Sequence, residues 1–374
     1  MYRLTNTYLD YNATTPVLRA VIERMSDIYA VGSNASSVHS YGRNARGLLE
    51  EARVRIARKM GIDMNQYQII FTASGSEANN LAVQGYLQDS VVITAIEHVS
   101  VCRVAKRAQN KIIIEVDSNG IVKLDALEKV LFASQGRGLV SVMLANNETG
   151  VVQDIAEISR LVHKYNGVIH TDAAQGISKM EFDFMRLGVD MMTIASHKCG
   201  GPPGAAALIV RKDIDHVPMI LGGGQENGKR AGTENVAAIY GFAMAVDELH
   251  NNSAVLKRQT MLRDQLEKEV AAVGSDVIIV SKSVERLCNT SCIIMTGVRG
   301  ETQLINFDLA GIAISSGSAC SSGKVSASHV LSAMGFSASE AECAIRVSVG
   351  YNTKDKDVSN FIEVWNRIYK RAHE

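Results

Sequence analysis

The sequence predicts an α/β protein in which a large domain, built on a mostly parallel seven-stranded sheet, is followed by a smaller α+β domain. Three observations lead there. From residue 43 to about 210, short apolar runs alternate with amphipathic helical patterns, as in a parallel sheet covered by helices. Beyond about residue 250 that regular alternation is lost. A chain of 374 residues is also too long for one small core, so two domains are expected. We place the large domain at residues 15–250 and the small one at 251–374, with the N-terminal segment 1–14 joining them.

The elements follow in order. Ala45–Met60 has the spacing of an amphipathic helix. Gln68–Thr72 (QIIFT) is a short buried strand, and Glu77–Leu87 a helix. Further strands are expected at Val91–Ala95, Ile112–Val116, Val140–Leu144, Val168–Thr171 and Met191–Ile194, with Ala205–Val210 as the seventh. Helical patterns at Val99–Gln109, Leu124–Ala133 and Ile155–Tyr165 lie between them. Asn235–Glu248 starts a helix whose pattern runs on through Ala271, predicting one long connecting spine. The small domain then reads as strands Val277–Val280 and Ser291–Met295, helix Thr302–Leu309, strands Ile312–Ser315 and Ala344–Val349, and a last helix Asp357–Lys370.

Composition narrows the classes of function. Hydrophobic residues make up 46% and charged residues 21%, as in ordinary globular proteins. Lys plus Arg equals Asp plus Glu at 39 each, so no net charge draws the chain to nucleic acid or an anionic membrane. No apolar run has the length of a membrane span, and Met1–Asn6 lacks the apolar core of a signal peptide. Six cysteines over this length do not make a disulfide framework, so reduced thiols in a cytoplasmic protein are expected.

The polar motifs fall at strand ends, where open α/β sheets place their ligand crevice. Lys198 stands in Ala195-Ser196-His197-Lys198-Cys199-Gly200-Gly201-Pro202, between an apolar run and a Gly-Gly-Pro turn. A desolvated lysine there loses its proton more readily and becomes a nucleophile. Asp172, in His170-Thr171-Asp172-Ala173-Ala174-Gln175, ends another apolar run, and a carboxylate buried there needs a cationic partner. A lysine able to form a Schiff base and an aspartate able to keep a pyridine protonated are what pyridoxal 5'-phosphate requires. Gln175 could bond a substituent of such a ring. Thr72-Ala73-Ser74-Gly75-Ser76-Glu77 runs from strand to helix, either as a phosphate cradle or as a plain serine-capped helix. His98, after the strand Val91–Ala95, reads as a packed histidine or as one stacked on a flat ring. Asn146-Asn147 suits a turn or a ligand contact. The Leu221–Asn235 segment, with Gly222-Gly223-Gly224 and Thr233, is a second candidate phosphate site or a flexible loop. Arg346, inside an apolar strand-like run, needs a partner, either a substrate carboxylate or a structural acid. Cys320 lies in Ser315-Ser316-Gly317-Ser318-Ala319-Cys320-Ser321-Ser322, with almost nothing to pack against, which suits an exposed and mobile nucleophile. Cys288 and Cys292 lack a second ligand pair for zinc, Cys102 and Cys343 lie on helical patterns, and Cys199 reads as packing.

Taken together and in this order, these segments resemble the NifS/IscS-type cysteine desulfurases, pyridoxal-phosphate enzymes of fold type I in the class-V aminotransferase superfamily. The resemblance runs from Tyr8-Leu9-Asp10-Tyr11-Asn12-Ala13-Thr14-Thr15-Pro16 to the strand of Arg346, with the cysteine loop of the family's first subgroup. It implies that Lys198 holds the cofactor, His98 stacks on its ring, Asp172 pairs with the ring nitrogen and Gln175 with the ring hydroxyl. It assigns phosphate to Gly75, Ser76 and His197, and gives Thr233 the phosphate of the neighbouring subunit, hence a homodimer. Asn147 and Arg346 would hold the carboxylate end of L-cysteine, and Cys320 would take its sulfur as a persulfide for an iron–sulfur scaffold or a thiolation carrier. The chain departs from the family in two places: Ala195-Ser196 shifts a phosphate-binding serine by one position, and Asn34-Ala35 replaces a usual Asn-Pro. It ends at Glu374, short of the extension with which longer relatives dock a scaffold, so the acceptor is left open while desulfuration is expected. A related aminotransferase or selenocysteine lyase, and a sulfur-relay protein without turnover, are the alternatives.

Overall fold

Seven strands hydrogen-bond in the spatial order Tyr67–Thr72, Ala206–Arg211, Met191–Ala195, Val168–Asp172, Leu139–Ser141, Ser90–Thr94, Asn110–Ile114. In this computed structural model, which describes residues 7–32, 34–135, 138–215, 217–316 and 327–373, only Ala206–Arg211 runs against its neighbours in that sheet. The strands are continuous apolar runs because both faces are covered. Successive side chains go to opposite sides: Ile69 and Phe71 join one apolar cluster, while Ile70 between them joins the other. One face packs on the helices Ser40–Met60, Ile155–Lys164 and Val236–Leu249, the other on Gly75–Gln84 and Val99–Ala105.

A second sheet, antiparallel throughout, orders Ser315–Ser316, Ala344–Ser348, Thr290–Met295 and Val277–Ile279. Its cover is the helices Ser253–Ala271, Gly300–Leu309 and Asp355–His373, with Phe307 stacked on Phe361 at 4.5 Å between ring centres and Trp365 fully buried beside them. Leu9, from the N-terminal segment, belongs to the same cluster. Thr7–Tyr8 pairs in parallel with Ile312–Ala313, and Asp10 bridges to Ser348.

Two sequence expectations are corrected. The spine predicted through Ala271 is two helices, Val236–Leu249 and Ser253–Ala271. His250 leaves the helical region, Asn251 is left-handed (φ 52°), and Asn252 caps the second helix by accepting from Val255 N. The apolar spacing spans the joint because both helices bury residues on either side of it. The strand predicted at Ile312–Ser315 is also two: Ile312–Ala313 pairs with the N-terminal segment, and Ser315–Ser316 with the strand of Arg346.

The N-terminal segment reaches the crevice through a close approach. A Cβ on Gly350 would lie 1.9 Å from the Tyr11 ring, a separation that no side chain tolerates. Gly350→Ala is therefore expected to lose about 1–3 kcal/mol through forced repacking. Urea unfolding at constant m-value measures the loss; an unchanged midpoint would show that Tyr11 moves aside freely.

Candidate active site

Five strand ends open onto one edge of the large sheet. Gly75 and Ser76 follow Tyr67–Thr72, His98 follows Ser90–Thr94, and Asn147 follows Leu139–Ser141. Asp172 ends its own strand, and a single 3-10 turn, Ser196–Lys198, carries Lys198 from the end of Met191–Ala195. Arg346 comes from the second sheet, opposite Cys292 and Ser315. These side chains meet around a cavity of about 490 Å³ that His197 and Gln175 also line.

At the start of Gly75–Gln84 the Ser74 side chain accepts from Glu77 N, and the helix opens against Ala195, with Gly75 in the gap. This helix end offers unpaired backbone N–H groups to an anion. His197 Nδ1 lies 3.3 Å from Thr14 Oγ1, and burial together with the Lys198 charge lowers its pKa to about 4, so the ring is neutral.

Asp172 is fixed from two sides. Its Oδ1 accepts from Ala174 N at 2.9 Å and its Oδ2 from Asn79 Nδ2 at 2.7 Å. The same Asn79 nitrogen donates to Ser100 Oγ at 2.9 Å, and that hydroxyl meets His98 Nδ1 at 2.7 Å. One amide thus sets the distance between the carboxylate and the imidazole. Burial lowers the His98 pKa against the pull of Asp172, which keeps the ring neutral and able to stack.

Lys198 Nζ donates to the carbonyls of Asn12 (2.7 Å) and Ala13 (2.8 Å) and to no carboxylate. Burial, with Arg346 adding to it, lowers its pKa to about 8. At pH 7.5 roughly one molecule in four then carries the free amine, against about one in a thousand for an ordinary lysine. In the cofactor-free protein Lys198 is expected to be the lysine most readily acylated at that pH, with a rate that levels off above pH 8; peptide mapping after brief labelling reads this. A rate still climbing towards pH 10 would show an unperturbed amine.

Arg346 is 7% exposed. Nη2 donates to Asp10 Oδ1 at 2.7 Å and Nη1 to the Asn147 carbonyl at 3.0 Å, while the buried Nε has no partner. The structural acid weighed from the sequence is therefore present as Asp10, and the guanidinium still lines the cavity.

One sequence-predicted residue stands elsewhere, and another lies outside the described residues. Thr233 is exposed and lines a separate cleft with Arg230, Thr72 and Asn235, not the Lys198 cavity of its own chain. Cys320 falls in 317–326, outside the described residues. Cys199 is fully buried, its pKa raised to about 12 by burial, and does not line the cavity. Ser196 is buried against Gly201, leaving Ala195 on the cavity wall. Sequence reasoning missed Asp10, Asn12, Asn79 and Ser100. The signals available were the spacing of Asn79, four residues after Gly75 on one helix, and the place of Asp10 and Asn12 in the segment that opens the resemblance.

These groups fit pyridoxal phosphate. Among the described residues, a lysine amine and a carboxylate with no opposite charge bonded to either, a neutral imidazole and an open helix N-terminus share one cavity, and the buried Oδ1 of Asn79 and Nε of Arg346 lack partners beside it. Among the described residues no cluster of His, Cys, Asp or Glu is arranged to hold a metal, and no helix is long and apolar enough to cross a membrane.

Residues 7–361 match the model of the family described as aminotransferase class-V. The chain is 38% identical to the IscS-like cysteine desulfurase of Mycobacterium tuberculosis (strain ATCC 25618 / H37Rv), over 98% of this chain and 96% of that protein. Its fold superposes on a NifS-like protein from Rickettsia africae ESF-5 with a TM-score of 0.92 at 40% identity, covering 97% and 99% of the two chains. It superposes on SspA, solved in complex with cysteine, with a TM-score of 0.80 at 28% identity, covering 93% and 100%.

Proposed function

Because the chain belongs to the aminotransferase class-V family, as one of its NifS/IscS-like cysteine desulfurases, we propose that it converts L-cysteine to L-alanine and passes the sulfur to Cys320 as a persulfide. The observation that carries this reading is the cavity that brings Lys198, Asp172, His98 and Arg346 together. Pyridoxal phosphate, when bound, supplies an aldehyde for amines and a ring that stores the electrons released at the substrate Cα. Lys198 would hold it through Nζ, Asp172 would face its ring nitrogen, His98 its ring face and Gln175 its ring hydroxyl. Gly75, Ser76 and His197 would receive its phosphate. Asn147 borders both cofactor and substrate.

The reaction then falls to residues of this chain. Arg346, held by Asp10, receives the substrate carboxylate, and the cysteine complex of SspA supports this substrate. Lys198 takes the Cα proton, a task suited to an amine lowered to about 8. The Cys320 thiolate attacks the substrate sulfur: an S–S bond forms, the Cβ–S bond breaks, and the three-carbon remainder takes up protons to become alanine. Ser315 and Ser316 line the cavity and lead directly into the segment of Cys320.

We propose further a cytoplasmic homodimer in which Thr233 completes the partner's phosphate site, with an iron–sulfur scaffold or a thiolation carrier as sulfur acceptor; the family resemblance supports these. Product analysis tests the activity. Under a thiol reductant, L-cysteine should yield alanine and sulfide in equal amounts. A keto acid instead would make the protein an aminotransferase, turnover of selenocysteine alone would make it a selenocysteine lyase, and no product would make it a relay protein.

A further inference from the structure

Lys179 is 2% exposed and, among the described residues, has no carboxylate against it, which is rare for a lysine. The ionisable groups acting most strongly on it are Lys198, Arg346, Cys199 and Cys288, and burial moves its pKa well down. Its amine has one hydrogen-bond partner, the side-chain oxygen of Gln175, four residues earlier in the same tight turn. A buried amine with a single acceptor costs stability that an apolar residue would not. Its position behind the cavity points to a use.

The use follows from the Gln175 amide. With Oε1 accepting from Lys179, Nε2 faces the other way, and one of its hydrogens goes to the Asn12 carbonyl at 3.1 Å, the same carbonyl that receives Lys198 Nζ. Gln175 lines the cavity, and the second Nε2 hydrogen is left for whatever lies there. Turning the amide over would give up the bond that Oε1 accepts from Lys179 and set that oxygen against the Asn12 carbonyl. We propose that Lys179 is a positioning residue that locks Gln175 as an N–H donor toward the cavity, and so makes the site select an anionic oxygen on the bound ring. This rests on the pyridoxal phosphate reading of the cavity. A donor on that oxygen holds its negative charge and weakens its grip on a neighbouring proton. Without Lys179, Oε1 becomes a buried acceptor without a partner, and the Asn12 carbonyl, shared with Lys198, is left alone to hold the amide.

The test uses the cofactor-loaded protein and the pH midpoint of its visible absorbance. Lys179→Met should bind pyridoxal phosphate at wild-type stoichiometry, with the midpoint raised by at least about half a pH unit, a roughly threefold change in the proton equilibrium. Gln175→Ala should show the same rise, and Lys179→Met added to it should shift the midpoint no further. A Lys179→Met midpoint at the wild-type value, or a shift that persists in full when Gln175 is already alanine, overturns the assignment. If Lys179→Met does not fold alone, the double variant decides. Folding with the Gln175→Ala midpoint supports the coupling, because the lost acceptor was what Lys179 served. A double variant that also fails to fold shows that Lys179 supports the fold without Gln175 and overturns it. A wild-type protein that binds no pyridoxal phosphate overturns the cofactor reading beneath, an outcome distinct from all of these.

Discussion

Lys198→Ala is expected to lose turnover of L-cysteine by about 10³-fold or more, the scale on which positioned acid–base groups act. Its purified form should be colourless or carry cofactor that dialysis removes. Both losses have one cause. Among the described residues Nζ is the only lysine amine lining the cavity and is held by two backbone carbonyls and not by an acid, and burial has already brought it to about 8. Alanine would remove the proposed attachment point and the proposed base together, while leaving Asp172, Asn79 and His98 tied to one another. Steady-state alanine production and the absorbance of the dialysed protein read the two effects. If the variant kept both its colour and its rate, the amine would have neither role.

Cys320→Ala should separate the chemistry at Cα from the transfer of sulfur. The described lining of the cavity is unchanged by the substitution, so cofactor binding and the spectral response to L-cysteine are expected to match wild type. Alanine and persulfide formation should fall about 10²-fold or more, since water or free thiol must replace a nucleophile delivered within the protein. Radiolabelled sulfur from cysteine should then remain unattached to protein on a non-reducing gel. Wild-type alanine production by Cys320→Ala would assign the attack to another group. Four of the five described cysteines are poor substitutes: burial raises Cys199, Cys288 and Cys292 to about 12 and Cys102 to about 11.

What the sequence reveals here depends on how local the cause is. Strands such as Gln68–Thr72 and Met191–Ile194 were legible because burial on both faces demands continuous apolar residues, and the helices because one face must be apolar. The break at His250–Asn252 was hidden, since a left-handed asparagine leaves the apolar spacing on either side intact. The helix Arg19–Val31 carries a weak signal, with Ile22, Tyr29 and Val31 exposed. In the site, residues placed by a strand end could be read, because strand, polar residue and turn are contiguous: Asp172, Lys198 and His98 are of this kind. Residues placed by contacts across the chain could not. Asp10 meets Arg346 across 336 positions, and the Asn12 carbonyl gathers Lys198 and Gln175 from more than 160 positions away. Lys179 looks like any surface lysine until the turn that buries it is seen.

Covalent attachment of pyridoxal phosphate to Lys198 underlies every role proposed for the cavity. Sodium borohydride fixes the cofactor on whichever amine holds it, and digestion with mass spectrometry then locates that amine. A phosphopyridoxyl group is expected on the peptide containing His197-Lys198-Cys199, in near-stoichiometric yield and absent from Lys198→Ala. A group found on Lys179 or any other lysine, or no fixed cofactor on a protein that still makes alanine from cysteine, would contradict it.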